Sequence, residues 1–331
     1  MEVMSMSNLE NKPAVQQDNK PVRHKARFSV AIRTKDYQDF VKNTLSDEKR
    51  ANRFIANITS AVAVNPNLQD CDPGTILAGG LLGDTLGLLP SPQLGQFYLV
   101  PFECRVKGPD GKAILSYNPD GTPEKDKYGR QVYVTEKKAS FVVGYKGLIQ
   151  MALRSGVYAD MDAIEVHEGE YKGRDKLTAK PVFSFIEDDD ERDAAPVMGY
   201  MAYLEMTNGF RKVIYWSKKK MMTHADTYSS AFSKDSYEKL MDGKIPEKDM
   251  WKYSSYWYKD FDGMAKKTML RQLIGKWGVM SSEMIEAFNN DGSVIEVGDD
   301  KSLSATPEGA FDLIQPEAVE VVPVKVNLDE L

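Results

Sequence analysis

Between Tyr37 and Val64 the apolar positions Phe40, Leu45, Phe54, Ile55, Ile58 and Val62 recur at helical spacing. They predict one or two amphipathic helices, the second carrying Lys49, Arg50 and Arg53 on or near its polar side. Asp72 followed by Pro73 supplies a cap and a first-turn proline, which predicts a helix through about Leu86. Gly79, Gly80 and Gly83 each cost that helix about 1 kcal/mol against alanine, so it requires close packing on a neighbour. A glycine-rich phosphate cradle is the alternative, but GGLLG lacks both the strand-turn-helix context and the GxxxxGK[ST] spacing.

Phe97 to Val106 alternates as a strand despite Pro101, and Gly108 to Gly111 then turn the chain. A polar loop over residues 116–130 precedes QVYVTEKKASFVV, where strand character resumes. Gly144 to Ser155 reads as a helix with Leu148, Ile149 and Ala152 toward the core, while Lys146, Gln150 and Arg154 share its other face. Residues 163–168, 181–186, 199–206 and 210–216 are strand candidates, the last two joined by Asn208-Gly209, a strong hairpin signal. Tyr200, Ala202, Leu204 and Met206 line one face, and Lys212, Ile214 and Trp216 share a face of the returning strand. Aromatics on both faces leave open which one meets solvent.

Ser217 to Met222 is a basic helical segment, and the stretch from Trp251 to Trp277 contains the longest helix. Its apolar stripe is Phe261, Ala265, Thr268, Met269, Leu273 and Trp277; Lys259 and Lys266 share another side, and Lys267 stands four residues before Arg271. The fold class these elements imply is α+β: an antiparallel β-meander packed against helices, with a long closing helix.

Composition adds a domain plan. The 331 residues carry a net charge of -6, and residues 291–331 hold 10 acidic and 2 basic residues, so the acidic excess belongs to the tail. A flexible arm over 1–30, a core over 31–290 and a flexible acidic tail over 291–331 are expected. No apolar run reaches membrane-spanning length, the opening lacks a signal-peptide core, and Cys71 and Cys104 are the only cysteines. Those features fit a reducing cytoplasm. From Glu205 to Trp277 the balance reverses, with 15 Lys or Arg against 9 Asp or Glu and 13 aromatics. Cations attract phosphates and aromatic rings stack on bases, so this mixture suits a nucleic-acid strand. An aromatic core ringed by solvated lysines is the competing reading.

No HExxH, CxxC, GxSxG or Walker sequence is present, and the three histidines have no partner histidine at helical spacing. The enzymatic rival is a metal-dependent nuclease using Glu165, Glu168 and Glu170 around His167, or the run from Glu187 to Glu191. A polar strand edge and a solvated loop are the plainer readings of those carboxylates.

Five blocks in order are similar to the RecT family of phage and prophage single-strand annealing recombinases. They are LGLLPSPQLGQFYLVPF at 86–102, VVGYKGLIQMALRSG at 142–156, AIEVHEGE at 163–170, GYMAYLEMTNGFRKVIYWSKKKM at 199–221 and FDGMAKKTMLRQL at 261–273. The resemblance implies a non-enzyme that binds single-stranded DNA and pairs complementary strands in homologous recombination with no cofactor and no ATP. It further implies a homo-oligomer, as ring or helical filament, that holds the annealed duplex intermediate in a basic groove. Expected partners are a phage 5' to 3' exonuclease and a host single-stranded DNA-binding protein, in the bacterial cytoplasm. Carried onto this chain, the groove candidates are Lys146, Arg154, Arg211, Lys212, Lys218, Lys219, Lys220, Lys266, Lys267 and Arg271. Tyr215 or Trp216 could support an unpaired base. A passive single-strand coat protein shares all these features, and only annealing separates the two.

Overall fold

A computed structural model describes residues 26–229, 231–253, 255–298 and 302–307, without the side chains of Lys248 and Trp251. Most of the expected N-terminal arm and the tail beyond Pro307 lie outside the described residues.

The chain opens with a short α1 (Phe28–Ala31), then α2 (Lys35–Leu45) and α3 (Glu48–Val64), and a 3-10 turn over Pro66–Asp70 leads to α4 (Pro73–Thr85). The Asp72 carboxylate caps α4 by accepting from the Gly74 amide at 2.9 Å. The three glycines fill the packing role their cost demands. A Cβ at Gly80 would collide with Ile58 on α3, and one at Gly83 with the Phe97 ring. Every residue of α4 from Thr75 to Gly83 is buried, so protein surrounds the helix and the phosphate-cradle reading is removed.

β1 (Phe97–Arg105) and β2 (Thr135–Val143) pair antiparallel from Phe97 opposite Val143 to Arg105 opposite Thr135. The polar segment between them is ordered by three tight turns with Gly111, Gly121 and Gly129 at positive φ. Its backbone closes two hydrogen-bonded rings. The Val106 amide donates to Val134, Val134 to Ile114 and Ile114 to Val106; Ser116, Val132 and Glu124 repeat the pattern.

α5 (Tyr145–Arg154) precedes β3 (Tyr158–His167), the hairpin β4 (Tyr171–Arg174) and β5 (Pro181–Phe183), and a short acidic α6 (Asp189–Ala194). β6 (Val197–Met206) and β7 (Arg211–Ser217) form the Asn208-Gly209 hairpin, with Gly209 at φ 84°, and β3 pairs with the free side of β6. Then come α7 (Lys218–Tyr228), α8 (Lys234–Met241), a 3-10 segment (Glu247–Tyr253), α9 (Tyr256–Lys259), the long α10 (Phe261–Trp277) and α11 (Ser282–Asn290).

The α+β class stands, with antiparallel sheets and a long late helix, but the strands divide among three sheets. Two findings change the domain plan. β8 (Ser293–Val297) pairs with β2 and β9 (Leu303–Pro307) pairs with β8, so the sheet runs β1-β2-β8-β9. Val294 and Ile295 are buried, which places the first part of the expected flexible tail inside the fold. The reason is a non-local pairing that the local composition of residues 291–307 conceals.

One face of β3-β6-β7 is settled as core. Tyr200, Ala202, Leu204 and Met206 are buried there and Phe261, Ala265, Met269 and Leu273 of α10 are buried with them. The Tyr200 hydroxyl donates to Asp262 at 2.6 Å, fixing the start of α10 on the sheet. α10 is buried on more than its apolar stripe, since Lys267, Leu270 and Ile274 are buried as well. A helix enclosed on two sides loses its single amphipathic face.

Candidate nucleic-acid interface

α7 begins where β7 ends, with Ser217 accepting from the Lys220 amide at 3.3 Å. Its first turn is Lys218, Lys219 and Lys220 with no acidic residue, the reverse of the charge a helix N-terminus prefers. That arrangement concentrates three ammonium groups and the free amides of a first turn at one end, a setting that phosphate relieves.

Helical spacing then places aromatics behind the cations. Lys220, His224 and Tyr228 are four residues apart and share one side of α7, and Trp216 at the end of β7 lies against that side. Lys220 Nζ lies 4.2 Å from the Trp216 ring centroid, the rings of Trp216 and His224 meet edge to face at 5.2 Å, and His224 and Tyr228 are 4.6 Å apart. With Lys219, Thr223 and Thr227 they line an open groove of about 480 Å³. Tyr228 is 78% exposed, an aromatic face free to take a base. His224 and Tyr228 were missed in the sequence, although continuing the four-residue step of the helix from Lys220 finds both.

Burial, and then the neighbouring Lys220 ammonium, hold the His224 imidazole below the ordinary histidine range. Its neutral form is favoured by the fold, so folding binds fewer protons there and stability is lost as pH falls below about 6.5, where the unfolded imidazole protonates. A phosphate in the groove offsets Lys220 and raises the same group. Single-strand affinity is therefore expected to rise as pH falls from about 7.5 toward 5.5, and His224→Gln to flatten that rise. Fluorescence-anisotropy titrations of labelled single strands across pH check this; an unchanged slope in the variant refutes it.

The remaining candidates occupy different settings. Lys146 and Arg154 are exposed on α5 and line a second groove of about 430 Å³ with Ile149, Gln150 and Leu153. Arg154 is partly committed, donating to the Leu86 carbonyl at 2.6 Å and the Gly87 carbonyl at 3.2 Å beyond the end of α4. Lys212 sits 4.0 Å over the Trp277 ring, and Lys218 6.0 Å from Phe261. Arg211 and Tyr215 alternate with Lys212 and Trp216 and so lie on the other face of the strand. There Arg211 is bound to Glu205 at 2.8 Å, and Tyr215 stacks on Tyr171 at 4.2 Å. Lys266 donates to Glu165 at 2.6 Å.

Lys267 and Arg271 are corrected most. The Lys267 side chain is 9% exposed and its ammonium is 2.8 Å from Asp291 Oδ1; Arg271 donates to Asp291 Oδ2 at 2.8 Å and lies 4.6 Å over the Phe288 ring. Lys267 faces inward and Arg271 is half-buried beside it, because Asp291, just before β8, gives both a counter-charge that a strand of DNA would otherwise supply. Lys267 is unreachable from solvent on this fold, and Arg271 is held in the same clamp.

Two carboxylates of the nuclease reading, Glu165 and Glu170, are equally committed, while Glu168 and the run from Glu187 to Glu191 are exposed. Burial opposes the ionisation of the committed pair, yet hydrogen bonds from Lys266 and Arg192 hold Glu165 and Glu170 below the usual carboxylate range. Among the described residues no group of three or more His, Cys, Asp or Glu gathers as metal ligands. Burial pushes the Cys71 thiol up to about 12, which leaves it unreactive.

The family model of the RecT family matches residues 52–304. The chain belongs to the RecT family. It is 30% identical over 295 residues to the YqaK protein of Bacillus subtilis (strain 168), covering 86% of this chain and 83% of that protein. It is 23% identical over 279 residues to the protein RecT of Escherichia coli (strain K12), covering 80% of this chain and 83% of that protein. Membership of the RecT family supports single-strand annealing recombination, and with it interaction with single-stranded DNA, as the general role. The RecT match ends at residue 304, within β9, so it takes in Asp291 and β8. Among the described residues no helix is long and apolar enough to cross a membrane.

Proposed function

We propose that this chain seats single-stranded DNA against the first turn and aromatic side of α7 and pairs it with a complementary strand, without a nucleotide cofactor and as a homo-oligomer. The observation that carries this is the α7 groove, where unopposed lysines meet half-buried Trp216 and His224 and the exposed Tyr228 ring in a RecT-family chain. Two single strands repel through their phosphates, and a cationic seat lowers that barrier while leaving base edges free to test complementarity. Alignment is then the remaining requirement, and no bond in either strand has to break. Lys146 on α5 and Lys212 beside Trp277 are further phosphate contacts in this reading.

A single groove spans few nucleotides, so capture of a long strand calls for repeated copies and cooperativity. Supply of single strands by a 5' to 3' exonuclease, contact with a host single-stranded DNA-binding protein, and action in the bacterial cytoplasm complete the proposal.

Mixing complementary labelled oligonucleotides with the purified chain, without ATP, is expected to form duplex faster than a protein-free control. Binding that leaves the rate unchanged indicates a passive coat, and shortened strands a nuclease; either result overturns annealing. Affinity is expected to fall linearly with salt on logarithmic axes, with a slope of about -0.7 per phosphate neutralised.

A further inference from the structure

The hairpin of β4 and β5 is closed by a turn built around one carboxylate. Asp175 Oδ1 accepts from the Leu177 amide at 3.1 Å, the Thr178 amide at 2.7 Å and the Thr178 hydroxyl at 2.7 Å. The Asp175 amide donates to the Lys180 carbonyl at 2.8 Å, and Arg174 donates to the Ala179 carbonyl at 2.9 Å. Ala179 is held at φ 57°, a conformation that a residue with a Cβ seldom takes. This bonded turn carries Leu177 at its tip, 94% exposed. A lone exposed leucine is ordinary on a surface, but here a tightly bonded turn with one unfavourable backbone angle holds it out.

Charge surrounds the tip. Lys172, Arg174, Lys176 and Lys180 are all exposed, and among the described residues none of them forms an ion pair. The one carboxylate in the hairpin is consumed by the turn. At the base, Tyr171 stacks on Tyr215 of β7 at 4.2 Å and Phe183 meets the same ring at 5.8 Å. The hairpin is thus anchored to the strand that runs directly into α7.

We propose that the β4–β5 hairpin is a second contact for single-stranded DNA, its lysines on phosphates and Leu177 inserted between neighbouring bases. An apolar side chain that enters a base step unstacks it at a cost, and the flanking cations hold the backbone while it does so. This inference rests on the proposed binding of single strands by α7, and it adds the element that opens the base stack.

The test uses the full chain and an oligonucleotide carrying 2-aminopurine, whose emission rises when its neighbours unstack. Leu177→Ala is expected to abolish most of the rise while leaving the salt dependence of binding intact. Lys172→Gln with Lys176→Gln and Lys180→Gln is expected to make the logarithmic salt slope shallower by about 2, at roughly 0.7 for each phosphate contact. An unchanged emission in the first variant overturns the insertion, and an unchanged slope in the second overturns the contact. Hairpin variants that bind DNA normally but sediment as smaller assemblies make this a subunit contact instead, against the proposal. If the unaltered chain fails to bind single strands, the proposed function fails first, so the two failures are distinguishable.

Discussion

A chain ending at Asn290 is expected to lose its fold, beyond the mere loss of an acidic tail. The cut removes Asp291, whose carboxylate accepts from Lys267 at 2.8 Å, from Arg271 at 2.8 Å and from the Val143 amide at 2.9 Å. Lys267 would then be a buried ammonium with no partner, and breaking a buried pair in this way costs about 3–5 kcal/mol. The same cut exposes the surface that Val294 and Ile295 cover, about 1.5–3 kcal/mol for each side chain. Together these losses approach the whole stability of an ordinary domain, about 5–15 kcal/mol.

The controls separate the clamp from the tail. Asp291→Ala alone is expected to lower the melting temperature by roughly 6 °C, since about 1 kcal/mol shifts it by about 1.5 °C in a chain of this size. A chain ending at Pro307 keeps the clamp and β9 while removing 6 acidic and 1 basic residue. It is expected to melt close to the full chain and to bind single strands equally or more tightly at low salt, with the difference shrinking as salt screens it. Circular-dichroism melts of the full chain and the three variants decide the matter. A chain ending at Asn290 that melts with the full-length protein would show that the β8 segment and its clamp contribute nothing.

Why Asp291 was illegible while Asn208-Gly209 was plain is a matter of range. The hairpin turn, the Asp72 cap and the α5 face are each dictated within a few residues, and all three stand where local chemistry puts them. β8 exists because β2 presents an edge at Ser140 and Phe141, about 150 positions earlier in the chain, and no local pattern records that. Lys267 failed for the same reason. Placing a lysine outside an apolar stripe is sound for a helix with one covered face, but α10 has two, and the counter-charge for the second arrives from the β8 segment.

The site divides similarly. Basic and aromatic enrichment located the β7–α7 corner, but alternation along β7 sends Arg211 and Tyr215 to one face and Lys212 and Trp216 to the other. Composition is blind to that division. It is also blind to commitment: Lys266 is bound to Glu165 and Arg211 to Glu205, whereas Lys219 and Lys220 stand exposed beside an exposed ring.

Removing the α7 seat is expected to abolish most single-strand binding without disturbing the fold. Lys219, Lys220 and Tyr228 are exposed, and lysines in a first helical turn oppose the helix dipole, so Lys219→Gln with Lys220→Gln leaves the helix at least as stable. Two lost phosphate contacts make the logarithmic salt slope shallower by about 1.4, at roughly 0.7 each. Tyr228→Ala removes a base platform, and such stacking contributes about 1–3 kcal/mol per base, a loss of roughly 5- to 150-fold in affinity. The triple variant should therefore fail to anneal at moderate salt, while Lys267→Met, a change inside the protein, alters melting and leaves the salt slope of the folded fraction unchanged. Salt titrations by fluorescence anisotropy, run beside thermal melts, read both effects. A triple variant that melts normally and keeps both its affinity and its slope would move the DNA seat off α7, leaving the α5 groove around Lys146 and Gln150 as the next surface with exposed cationic character.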